Sequence, residues 1–108
     1  MYFEFMSKAF LVYGHYNDKS FNAAIKDTFI ETAKKLGHTV DCVDLYKENF
    51  NPIFAGEKPD ETVLDHRKRI EEADAIVLIA PIWNFRMPAI VEGWICLLYT
   101  SDAADERN

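Results

Sequence analysis

Two groups of residues in this 108-residue chain have the types and spacing to do chemistry. Pro81-Ile82-Trp83-Asn84-Phe85 places two aromatic rings and an amide directly after the apolar run Ala75 to Ala80. Flat aromatics and one amide in a proline-stiffened turn suit a planar, largely apolar ligand with a few polar edges. His15 and Ser20-Phe21-Asn22 form the second group. Ser20 is a good helix N-cap, so the N–H groups of Phe21 and Asn22 fall at a helix N-terminus, where unpaired donors and the dipole bind phosphate. His15 adds a possible further donor. Taken singly, each has a plainer reading: Ser20 as a cap, His15 as a surface histidine, Asn22 as helix surface, Trp83 and Phe85 as core.

The elements that position these groups follow from the apolar pattern. Lys8 to Tyr13 reads as a first strand closed by Gly14. After Ser20, the residues Phe21, Ile25, Phe29, Ala33 and Leu36 recur at helical spacing, predicting a helix with one inward stripe that ends at Gly37. Thr39 to Leu45 reads as a second strand, and its Asp41 and Asp44 place it at a sheet edge. A long connection, Tyr46 to Pro59, follows, of a length that is often functional. Asp60 then caps a helix to about Glu72, with Val63, Leu64, Ile70 and Ala73 inward. Ala75 to Ala80 shows no polar alternation and reads as a strand buried on both faces, as in parallel sheets covered by helices. Pro88 suits the first turn of a third helix, in which Ile90 and Trp94 are core.

The order βαβαβα implies right-handed crossovers and a doubly wound parallel α/β sheet. In the flavodoxin-like order 2-1-3-4-5 the first and third strands are neighbours, and the switch point lies between them. The loops holding the two groups then form one crevice. Phosphate at one end and aromatic planes at the other describe a flavin nucleotide. Competing nucleotide folds lack their signatures: there is no GxxxxGK[ST], and Gly14 stands alone where GxGxxG would begin. A response-regulator receiver needs an acidic residue where this chain has Ala80-Pro81.

Length allows one domain. With 49% hydrophobic and 14% aromatic residues, a packed core is affordable and disorder is not expected. The formal charge of −6, with Arg67-Lys68-Arg69 as the one basic cluster, argues against nucleic acid or an anionic membrane as main partner. That cluster reads as a solvated helix face. Cys42 and Cys96 have neither metal-site spacing nor the density of a disulfide scaffold, so no metal is expected and a reducing cytoplasm is the default. No segment reads as a signal peptide or a bilayer span. Met6-Ser7-Lys8 is a plausible alternative start, which would make residues 1 to 5 an upstream extension.

Several short motifs together carry a resemblance. They are His15 with Ser20-Phe21-Asn22, Asp44-Leu45-Tyr46 with Asn49-Phe50-Asn51-Pro52, Pro81 to Phe85 running into Met87-Pro88-Ala89-Ile90, and Gly93-Trp94. Over about residues 8 to 95 the chain resembles the flavodoxin-like NAD(P)H:quinone oxidoreductases. That group includes the mammalian quinone reductases, bacterial modulators of drug activity and the ancillary subunits of potassium efflux systems. The resemblance implies that His15, Ser20, Phe21 and Asn22 hold the phosphate and ribityl side of a flavin, FAD or FMN. It implies that Pro81, Ile82, Trp83, Asn84 and Phe85 line the ring. It also implies hydride transfer from NAD(P)H through the flavin to a quinone, a homodimeric full-length enzyme, and no side chain required as nucleophile or general acid. The Asn84-Phe85 pair looks more like the FMN-dependent azoreductases, which adds an azo acceptor as the alternative. A flavin-bearing regulatory subunit of a potassium efflux system is a second.

Residues 1–95 are therefore read as the N-terminal part of a flavin-binding domain, ending after the third strand and the start of the third helix. Residues 96–108 resemble no part of the family. They resemble the in-frame translation of a transposon-based sequencing adapter, an expectation that resequencing the source locus tests. Without a fourth strand, Ala75 to Ala80 is expected to be an open edge, and the chain to bind flavin weakly or not at all.

Overall fold

Phe10, Leu11, Val12 and Tyr13 have no exposed surface, and the other elements are arranged around the strand that carries them, β1 (Lys8–Tyr13). The computed structural model describes residues 7–53, 56 and 60–107, with side chains described no further than Leu98. The possible alternative start at Met6 and part of the 46–59 connection lie outside the described residues.

β2 (Thr39–Asp44) and β3 (Ala75–Ile79) flank β1 in parallel, giving the order β2-β1-β3. This is the expected doubly wound arrangement. The register sets Lys8 beside Thr39 and Ala9 beside Ala75. Strand alternation then divides the core in two. Phe10 and Val12 join Val43, Leu45, Val63 and Trp94 under α2 (Glu61–Glu71) and α3 (Ala89–Arg107). Leu11 and Tyr13 pack with Ala23 of α1 (Phe21–Lys35).

Local chemistry sets the helix ends. Ser20 and Asp60 cap α1 and α2 by accepting from Ala23 N–H and Val63 N–H at 3.0 Å each. α1 stops where Gly37 takes a left-handed φ of 88°, while His38 N–H returns to the Ala33 carbonyl and Gly37 N–H to that of Lys34. Asp41, which interrupts the β2 pattern, receives the Arg69 Nε and Nη2 at 2.9 and 2.6 Å. That guanidinium holds its carboxyl below the usual carboxylate range. Arg69 also covers the Phe10 ring, so the basic run is not wholly a solvated face as expected. Its last member is turned inward.

Three burial expectations are corrected, all by neighbours rather than by the elements themselves. β3 is not buried on both faces: Ile76 is 56% and Leu78 38% exposed. It is an edge strand, and α2 and α3 lie over β1 and β2. α1 seats itself through Ala23 and Ala33, leaving Phe21, Ile25 and Leu36 of the stripe exposed. Leu64 of α2 is exposed as well, while His66 is buried in its place. Among the described residues, no helix is long and apolar enough to cross a membrane.

Gly14 ends β1 by donating to the Ile79 carbonyl at 2.9 Å. A Cβ there would sit far inside contact distance of Val91 Cγ2 on α3. Gly14→Ala must therefore displace the Val91 side chain or α3 with it, and a loss of about 1–3 kcal/mol is expected, read as a lower thermal midpoint. An unchanged midpoint would mean that α3 yields freely.

Candidate functional site

At the carboxyl ends of β1 and β3, the chain turns into the two segments that carry the candidate residues. The first is anchored from below by a buried phenol. Tyr13 Oη donates to the Asn17 carbonyl at 3.1 Å and lies 3.2 Å from Ser20 Oγ, whose own proton it can accept. Ser20 Oγ in turn accepts from Ala23 N–H. The first-turn N–H groups of Phe21 and Asn22 have no intrahelical acceptor and face the crevice end of the helix. His15 Nδ1 accepts from Asn17 N–H at 2.9 Å, so the neutral ring carries its proton on Nε2 as a free donor.

The second segment is a tight turn. Trp83 and Arg86 exchange backbone hydrogen bonds of 2.6 and 3.0 Å, with Asn84 and Phe85 between them at φ of 51° and 68°. Two consecutive left-handed residues define a I′-type reversal. For phenylalanine this conformation costs about 1–2 kcal/mol, and such strain concentrates at functional sites.

The structure brings His15 and Trp83 together edge to face, with ring centroids 5.9 Å apart. It does not bring Phe85 in: that side chain is 99% exposed. Ile82 and the Phe21 ring are also exposed, and Pro81 is half-buried. Sequence reasoning missed two members. Tyr16 stacks on His15 at 4.7 Å and approaches Trp83 at 6.1 Å, and Tyr46 meets Tyr16 edge-on at 6.5 Å. Burial, and then Tyr16, push the Tyr46 phenol up, keeping it a donor. The available signal was an aromatic beside His15 and another just past the end of β2.

A cavity of about 200 Å³ opens there, lined by His15, Tyr16, Asp18, Asp44, Tyr46 and Lys47. A larger one of about 320 Å³ lies at the opposite end of β1 beside Phe29, Leu36 and Ala75. Its lining is mainly apolar, with Ser7, Lys8, Thr32 and His38 at its border, and it lies away from the strand ends that carry the candidate residues. Among the described residues, no group of His, Cys, Asp and Glu side chains could hold a metal ion. Ser20→Ala removes the α1 cap and is expected to cost about 1 kcal/mol, measured by denaturant unfolding.

The loop that leads into the Ser20-capped start of α1 and the turn that carries Trp83 thus meet at neighbouring strand ends through His15 and Trp83. The chain is a doubly wound parallel α/β protein, with β1 and β3 as neighbours at its switch point. Residues 7–104 match the family described as having the flavodoxin-like fold, and the chain belongs to that family. It is 31% identical to mouse (Mus musculus) ribosyldihydronicotinamide dehydrogenase (quinone), over 82% of this chain and 49% of that protein. Against rat (Rattus norvegicus) NAD(P)H dehydrogenase (quinone) 1 the identity is 30%, over 81% and 41%. The solved structure of an NAD(P)H:quinone oxidoreductase from Methanothermobacter marburgensis superposes with a TM-score of 0.80 at 28% identity, covering 87% of this chain and 54% of that one. The chain spans about half the length of the relatives it matches.

Proposed function

We propose that this chain contributes the phosphate end and one ring wall of the flavin site of an NAD(P)H:quinone oxidoreductase. The observation that carries this is the facing of the α1 N-terminus and Trp83 across His15. The residues fit a flavin on chemical grounds, with free N–H donors at one end and aromatic and apolar groups at the other. FAD and FMN share that half, and either is accommodated.

The chemistry supplied by a bound flavin is two-electron hydride transfer between NAD(P)H and a quinone. Ser20, Phe21 and Asn22 hold the phosphate, and His15 Nε2–H donates to it. Trp83 lines the ring side, and the turn from Pro81 to Phe85 fixes the backbone N–H groups that orient it. No side chain here transfers a proton in this scheme. The full-length enzyme is proposed to be a cytoplasmic homodimer. The turn at Asn84-Phe85 favours one second reading, an azo compound in place of the quinone.

Ser20→Asp tests the proposal. Aspartate caps a helix as well as serine does, but it puts a negative charge where the phosphate is to bind. In the protein encoded by the full reading frame at the source locus, the variant should keep its melting behaviour while flavin affinity, read by quenching of flavin fluorescence, falls steeply. Undiminished affinity would place the cofactor elsewhere. Turnover of quinone against azo dye, with NADH and NADPH in parallel, separates the acceptor classes.

A further inference from the structure

His66 takes no part in the crevice, yet it is 1% exposed. It lies among the rings of Phe10, Phe50 and Trp94, with centroids at 6.2, 5.9 and 6.4 Å from its own. Its Nδ1 accepts the Trp94 Nε1–H at 3.0 Å, and its Nε2 faces Glu48 Oε1 at 3.7 Å. An indole nitrogen only donates, so Nδ1 bears a lone pair and the neutral ring carries its proton on Nε2, toward the Glu48 carboxylate. Four segments meet at this one ring: α2 through His66, α3 through Trp94, β1 through Phe10, and the connection after β2 through Glu48 and Phe50. Trp94 lies early in α3, which follows the Trp83–Arg86 turn closely.

Protonation gives the ring an N–H on both nitrogens. The Trp94 N–H then meets a donor in place of its acceptor, inside a buried cluster where an unsatisfied polar group is costly.

We propose that His66 is an acid-released latch, holding α3 and the ring-wall turn before it against α2 while the imidazole is neutral. This rests on contacts within the chain and is independent of the flavin reading. The charged groups facing it are Glu48 from the connection, Asp65 and Arg69 from α2, and Asp41 from β2, which Arg69 engages. β1 and α3 present the rings of Phe10 and Trp94. Burial, opposed by Glu48 and Asp65 and reinforced by Arg69, holds the ring below the usual imidazole range. The folded state therefore binds this proton less readily than the unfolded one. The latch is fully closed above the ordinary imidazole value of about 6.5 and is lost as pH falls through the lower folded value.

The test is nitrogen-15 NMR of the 108-residue chain from pH 7.5 downward. At pH 7.5 His66 should show the Nε2–H tautomer and Trp94 a protected indole proton. As His66 titrates, the Trp94 protection factor should fall about tenfold, with no matching change at Trp83. His66→Gln offers an acceptor that does not titrate, so Trp94 protection should stay flat with pH. An Nδ1–H tautomer overturns the proposal, as does Trp94 protection that ignores His66 titration or falls equally in His66→Gln. So does a ring that stays neutral until the whole chain unfolds. The tautomer and titration need no variant, so a His66→Gln chain that fails to fold leaves the question answerable.

Discussion

Trp94→Ala is expected to remove about 3–5 kcal/mol of stability, enough to leave a marginally stable domain largely unfolded. Trp94 is 5% exposed and stacks on Phe10 with ring planes 20° apart, at the centre of the cluster that joins α2 and α3 to β1 and β2. Alanine leaves a cavity between three elements and strips His66 Nδ1 of its donor. Trp94→Phe separates the two contributions. It keeps a six-membered ring in the core but loses the N–H and the rest of the pyrrole ring, so a smaller loss of about 1–2 kcal/mol is expected. Urea unfolding followed by circular dichroism measures both. Equal losses in the two variants would mean that the hydrogen bond, not packing, dominates.

Lysine at both Ile76 and Leu78 is expected to keep the chain monomeric at concentrations where the parent sequence associates. Among the described residues no strand pairs with the outer edge of β3, and these two apolar side chains stand beside it, 56% and 38% exposed. An unprotected edge of this kind templates pairing with another chain, and lysine is a common natural blocker of it. Because both positions are already part-exposed, the substitutions should cost little stability. Light scattering against concentration reads the effect. A parent chain that scatters as a monomer throughout would refute it.

The parts legible in the sequence were those decided locally. Ser20, Asp60 and Gly37 announce helix ends by their own hydrogen-bonding and backbone preferences, and the structure uses them so. Asp41 and Asp44 in the second strand mark an edge, and β2 is one. His15 and Trp83 were legible as partners because strand order alone brings their loops together.

What was not legible depends on neighbours far along the chain. A stripe of Phe21, Ile25 and Leu36 is inward only if something covers it. His66 reads as one more polar residue on an amphipathic helix until Trp94 is placed beside it. Arg69 looks solvated until Asp41 is seen across the sheet edge. Phe85 was counted as a wall, but the left-handed backbone at Asn84 and Phe85 turns its ring into solvent, and no periodicity reveals that. Tyr16 was lost in a polar stretch for the same reason: the turn between His15 and Ser20 decides where its ring points.

The contact between Gly14 and Val91 also sets a dimension. α3 rests against Gly14, just past the end of β1, with only the Val91 side chain between them, and the turn carrying Trp83 is tied to α3 through Met87 N–H and Glu92. The gap between the His15 loop and the Trp83 turn is thus gauged by a contact at position 14. Any side chain added at position 14 acts as a shim: it widens the gap while every residue lining it is unchanged. The width of the opening is written at the foot of the crevice.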